Sequence, residues 1–112
     1  MADAADPLFD HRLRELASAL EELAHLLLNN GAQDWSTWVE RILSDLKRYD
    51  AGTLDRLLGA YRGMGSFNDL VVGSWSPGPT PTGVREANDR LAALRERCYT
   101  LASYLRGELR RP

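Results

Sequence analysis

Apolar residues return every three or four positions in four separate stretches of this chain, the spacing that lines them up on one side of a helix. Phe9, Leu13, Leu16, Leu20, Leu23 and Leu27 alternate steps of four and three, which predicts a first helix over 7–29 with a single apolar seam. Asp6-Pro7 offers a capping acid and then a proline at the first helical position, where its missing N–H costs nothing. Asn29-Asn30-Gly31 ends the helix, because Asn and Gly accept the left-handed conformation of a C-terminal cap. Trp35, Trp38, Val39, Ile42, Leu43, Leu46 and Tyr49 form a broader stripe, which predicts a second helix over 34–49. After the break at Ala51-Gly52, Thr53 or Asp50 is placed to cap a shorter helix over 53–62 with Leu54, Leu57, Leu58 and Tyr61 on one face. Val84, Ala87, Leu91, Leu94, Cys98, Leu101 and Leu105 define the last helix, over 83–109, about 40 Å long at roughly 1.5 Å per residue. The first helix nearly matches it. Two long seams closed by two shorter helices with short links predict an all-α, compact antiparallel four-helix domain.

Between 63 and 82 no periodicity survives. Links between helices in bundles usually take about 2–8 residues, so a long loop before the last helix is expected. Leu70-Val71-Val72 is apolar enough to tuck against the core, and Ser76-Pro77-Gly78-Pro79-Thr80-Pro81 reads as extended. At the head of the loop stands Tyr-Arg-Gly-Met-Gly-Ser-Phe-Asn-Asp-Leu, from Tyr61 to Leu70. Much of it reads as helix punctuation: Gly63 in a left-handed cap with Met64 reaching Leu58, Gly65 between that stop and the next start as part of the structural cap, and Ser66 as the N-cap of a capping box completed by Asp69. Capping does not require Phe67 or Asn68. Together with Asp69, and with Trp75, which belongs to no stripe, they are the candidate binding residues. Trp35 and Trp38, at helical spacing, belong to the core.

A chain of 112 residues has the size of one domain, with residues 1–5 expected to fray. Its formal charge of -2 and pI near 5.6 argue against a nucleic-acid partner, which calls for a basic face. Lys47 is the only lysine, and Arg106, Arg110 and Arg111 gather where positive charge suits a helix C-terminus. Cys98 is the only cysteine, which excludes an internal disulfide and a Cys-rich zinc site; its place on the last seam makes it a core residue. Aliphatic runs such as Leu26 to Leu28 fall far short of the roughly 20 residues of a membrane helix, and Met1 to Pro7 lacks the form of a secretory leader. A cytoplasmic protein without a membrane partner is expected.

Candidate chemistry is sparse. Glu22 and His25 form one Glu-x-x-His pair, whereas di-metal bundles use two with two further carboxylates, so no metal is expected. Gly-Met-Gly-Ser lacks the preceding strand, the lysine and the spacing of a phosphate loop, and no cofactor is expected. Ser66 has Asp69 nearby but no base to activate it, so no residue is assigned a catalytic role.

The block from Tyr61 to Leu70, continued by Glu86-Ala87-Asn88 and Leu91, resembles a group of small uncharacterised bacterial proteins marked by Gly-Met-Gly-Ser-Phe-Asn-Asp-Leu. The resemblance covers about a third of the chain and implies an all-helical, cytoplasmic bacterial domain of unassigned activity. In general character the chain is also similar to the small acidic immunity proteins that neutralise bacterial toxins. The function expected is a protein-binding module, immunity-like or regulatory, using the 63–75 corner. The alternative is a small-molecule or enzymatic site built from Ser66, Asn68 and Asp69.

Overall fold

Helix α1 (Pro7–Asn29) starts at the proline and stops at the Asn/Gly signal expected of it. Gly31 takes a φ of 84°, which lets the Ala32 N–H reach Leu27 O at 2.9 Å and the Gly31 N–H reach Leu28 O at 3.3 Å, the paired bonds that satisfy the last carbonyls of a helix. Asn30 adds its side-chain amide to Leu26 O at 2.8 Å. These details come from a computed structural model, which describes residues 7–50, 52–62, 66–72 and 81–109.

Helix α2 (Gln33–Lys47) ends by the same device on a less suitable residue. The Asp50 N–H reaches Asp45 O and the Tyr49 N–H reaches Leu46 O, and the left-handed position falls to Tyr49, with φ 59°. The sequence places Tyr49 on the core stripe. Leaving the helix turns it outward instead, to 79% exposure.

Asp50 then organises the start of α3 (Thr53–Gly59). One of its carboxylate oxygens accepts the Gly52 N–H at 2.9 Å, and its carbonyl accepts the Thr53 N–H. The Gly52 N–H on its carboxylate, with Arg56 beside it, holds the Asp50 carboxyl below its ordinary value. Arg56 also reaches Asp45 and the Thr53 hydroxyl. Helix α3 is shorter than the expected 53–62, because Ala60 to Arg62 continue only as a turn.

The last helix, α4 (Pro81–Leu109), begins two residues before the position expected. Of the loop expected over 63–82, residues 63–65 and 73–80 lie outside the described residues; residues 66–72 hold a short 3-10 turn, Phe67–Asp69. Among the described residues every regular element is helical.

The apolar seams meet in one core. Leu16, Leu20, Leu23 and Leu27 of α1 face Val39, Ile42 and Leu46 of α2, with Leu57 of α3 and Leu91, Leu94, Cys98 and Leu105 of α4 buried in the same cluster. Helix α1 packs on both α2 and α4, while α3 packs on α4 and α2. A buried hydrogen bond from the Ser36 hydroxyl to Ala24 O, 2.8 Å, locks α2 to α1. On the surface Glu22 pairs with Arg90 and Glu15 with Arg97 across α1 and α4, and Asp55 pairs with Arg106 across α3 and α4. Exposed pairs of this kind add little stability each; their use here is as markers of which positions lie side by side.

Candidate functional site

The 3-10 turn at Phe67–Asp69 is built around a ring that has no exposed surface. Phe67 lies among three aromatic side chains, with ring centroids 5.0 Å from Trp35, 5.7 Å from Trp38 and 5.5 Å from Tyr61. Such edge and tilted contacts favour the negative face of one ring against the positive edge of another. The expectation that Phe67 is an exposable ring for a partner is therefore corrected. Its apolar area is consumed by closing the open end of the core over α2 and α3.

Backbone bonds and two polar side chains of α4 hold the turn in place. The Phe67 N–H donates to Ala60 O at 3.0 Å, tying the turn to the end of α3, and the Asp69 N–H donates to Ser66 O at 3.0 Å. Arg95 sends one guanidinium nitrogen to both Phe67 O, 3.0 Å, and Leu70 O, 2.7 Å. Phe67 O also accepts the Leu70 N–H at 3.3 Å, and the charged donor adds a stronger bond than a neutral one would. Partial burial pulls the Arg95 pKa below its ordinary value, while Tyr61 and Asp69 oppose that pull. Asn88 makes the second clamp. Its side-chain oxygen accepts the Val72 N–H at 2.8 Å and its amide donates to Val72 O at 2.9 Å, so a side chain pairs with Val72 as a neighbouring strand would. The same amide reaches Val84 O within α4.

Ser66 occupies the N-cap position, but its side chain makes no capping bond. Its hydroxyl oxygen is enclosed and has no hydrogen-bond partner among the described residues. The capping box expected of Ser66 and Asp69 is thus replaced by the backbone bond from Asp69 N–H to Ser66 O. Gly63, Gly65 and Trp75 lie outside the described residues.

Asn68 and Asp69, in contrast, are exposed. Asn68 stands at the edge of a groove of about 560 Å³ between the end of α3, the turn and α4. The apolar part of its wall is Leu58, Ala92 and the rings of Tyr61 and Tyr99, whose centroids are 5.1 Å apart. The Tyr61 hydroxyl is fixed by donating to Arg95 O at 2.6 Å, and burial raises its pKa well above the ordinary phenol value, so it stays protonated. Tyr99 is 48% exposed and offers its ring to the groove. Arg62, Arg95 and Arg106 bring three guanidinium groups, against the single carboxylate of Glu96. Arg95 is committed to the turn and Arg106 to Asp55 at 2.7 Å. Arg62 has no ion-pair partner among the described residues.

Of the expected binding residues, the turn brings Asn68 and Asp69 to the surface and sinks Phe67 beneath them. Sequence reasoning missed Arg62, Arg95 and Tyr99. Asn88 entered it within the resembling block and as a conceivable bridge from Asn68, not as the partner of Val72. A signal was available for Tyr61, which precedes the glycines on a helix face, but nothing local marks an arginine 25 residues downstream as the clamp of this turn.

Cys98 lies in the core, and burial pushes its thiol up to about 12, which makes it an inert apolar residue at neutral pH. No group of three or more His, Cys, Asp or Glu side chains that could hold a metal occurs among the described residues. No described helix is long and apolar enough to cross a membrane.

Residues 28–76, which include α2, α3 and the turn, match a family model described as Domain of unknown function (DUF6966). The match spans a little under half of the chain and agrees with the resemblance to an uncharacterised family. No curated protein and no solved structure matches the chain.

Proposed function

We propose that the chain is a single-domain protein-binding module of bacterial type, immunity-like or regulatory in role, that meets its partner through the corner formed by the turn and the adjoining groove. One observation carries the proposal. The turn is over-determined from beneath, by the Phe67 ring, Arg95 and Asn88, yet Asn68 and Asp69 above it are exposed and the Asn68 edge opens on a groove. A surface that is held rigid binds at a smaller entropic cost than one that must be ordered.

The scaffold in this proposal is an antiparallel four-helix arrangement with a long loop before α4. The ion pairs support it: from Glu15 to Glu22 along α1 the partners on α4 step backwards, from Arg97 to Arg90. Along α3 and α4, Asp55 meets Arg106 while Tyr61 meets the Arg95 carbonyl.

The second reading, a small-molecule or enzymatic site using Ser66, Asn68 and Asp69, draws support from the groove volume, which falls within the roughly 300–1,000 Å³ common for ligand pockets. The enclosed Ser66 hydroxyl weighs against a nucleophilic role for that residue. The two readings part on one experiment. Asn68→Ala should leave the melting temperature unchanged and weaken capture of the native protein partner in a pull-down. Equal capture by Asn68→Ala and Asp69→Ala would count against the protein-binding reading.

A further inference from the structure

Among the groove residues, the cations are not equivalent. Arg95 donates to two neutral backbone carbonyls and Arg106 pairs with Asp55, which leaves Arg62 as the groove guanidinium whose donors are unused among the described residues. Arg62 is exposed and lines the same groove as Asn68, with the Tyr99 ring and Leu58 as the apolar wall between α3 and α4. A guanidinium with its planar donor fork suits a carboxylate, and an amide side chain adds a donor to the same oxygens. Arg62 and Arg95, whose partners carry no charge, stand against Glu96 on the groove wall, which leaves one positive charge in excess. A single carboxylate fits this balance better than a doubly charged group.

We propose that the groove binds one carboxylate attached to an apolar or aromatic body, with Arg62 and Asn68 taking the oxygens and Tyr99 and Leu58 the body. The proposal rests on the reading of this corner as a binding surface and specifies its chemistry. The carboxylate can come from two sources: an acidic side chain followed by an aromatic residue in a partner segment, or a free aromatic acid.

The test uses the full chain, labelled with 15N and followed by amide and side-chain NMR shifts, with two probes. One is an N-acetylated, C-amidated hexapeptide containing Glu-Phe, compared with its Gln-Phe counterpart. The other is 3-phenylpropionate. Expected is a saturable shift of the Asn68 side-chain amide with at least one probe. Arg62→Gln should weaken it at least about tenfold, since it removes a charge-assisted bond, and Glu96→Gln should tighten it. A response to the Glu-Phe peptide but not to phenylpropionate supports the proposal with a partner segment as source; the reverse supports it with a free acid as source. Equal binding by the Glu-Phe and Gln-Phe peptides with no shift by phenylpropionate, or an Arg62→Gln titration identical to that of the unaltered chain, overturns it. Partner capture that survives Arg62→Gln but is lost in Asn68→Ala would overturn the carboxylate assignment alone. Arg62-dependent phenylpropionate binding without any Asn68-dependent protein capture would leave the carboxylate assignment and remove the protein-binding reading.

Discussion

Replacing Phe67 with alanine separates a structural role from a recognition role more sharply than any other single change in the turn. The ring is fully buried and within 6 Å of three aromatic rings. Removing a buried aromatic side chain costs about 3–5 kcal/mol, transfer and cavity terms together. Loss of the aromatic pairings, at about 0.5–1.5 kcal/mol each, places the change towards the upper end. A domain of this size rests on about 5–15 kcal/mol in total, so Phe67→Ala should bring it close to unfolding at moderate temperature. Urea unfolding followed by tryptophan fluorescence is the natural assay, because Trp35 and Trp38 pack on the deleted ring and report its environment directly. A loss below about 1 kcal/mol, with unchanged native emission, would refute the reasoning. It would mean that the ring does not close the core and that its sequence-based reading as an exposed contact should be restored.

Three further changes test the local architecture. Ser66→Ala should be neutral or slightly stabilising in urea unfolding, because the hydroxyl is enclosed without a partner; a loss of about 1 kcal/mol, the usual cost of removing an N-cap, would show that it caps the turn after all. Asn88→Ala should cost about 2 kcal/mol, since it strands both backbone groups of Val72. Native-state hydrogen exchange should then show the Val72 amide losing protection while the α1 amides keep theirs. Tyr49→Gly should stabilise by about 1 kcal/mol in thermal unfolding, because the residue is exposed with φ 59° and glycine takes that conformation without the Cβ penalty.

The parts of the fold set by one element at a time were legible in the sequence. Helix α1 runs over the range that its seam and end signals predict, and the buried positions Leu91, Leu94, Cys98, Leu101 and Leu105 of α4 follow its three-four alternation. What failed depends on contacts between distant residues or on a choice between near-equal local options. Tyr49 continues the α2 stripe by spacing, yet the helix stops two residues earlier, at Lys47, and the backbone reverses at Tyr49; periodicity does not register a left-handed residue. Phe67 stands among glycines and polar residues, which is the pattern of an exposed loop. Its burial follows from Trp35 and Trp38 of α2 and Tyr61 of the turn after α3 converging on it. Ser66 and Asp69 carry the spacing of a capping box, but the turn is a single 3-10 turn held by Arg95 and Asn88, so the capping bond is not needed. The groove itself is lined by residues of α3, the turn and α4 together, and no local pattern encodes it.

Contact at the corner is the claim on which the functional account stands, and site-specific photocrosslinking tests it most directly. A photoreactive phenylalanine derivative is placed at exposed Asn68, and in a second protein at exposed Glu40 on α2, which does not line the groove; both are expressed in the native host and irradiated. The account predicts a discrete protein adduct from position 68 that is absent from position 40. Adducts of equal yield and identity from both positions, or an adduct from position 40 alone, would contradict it.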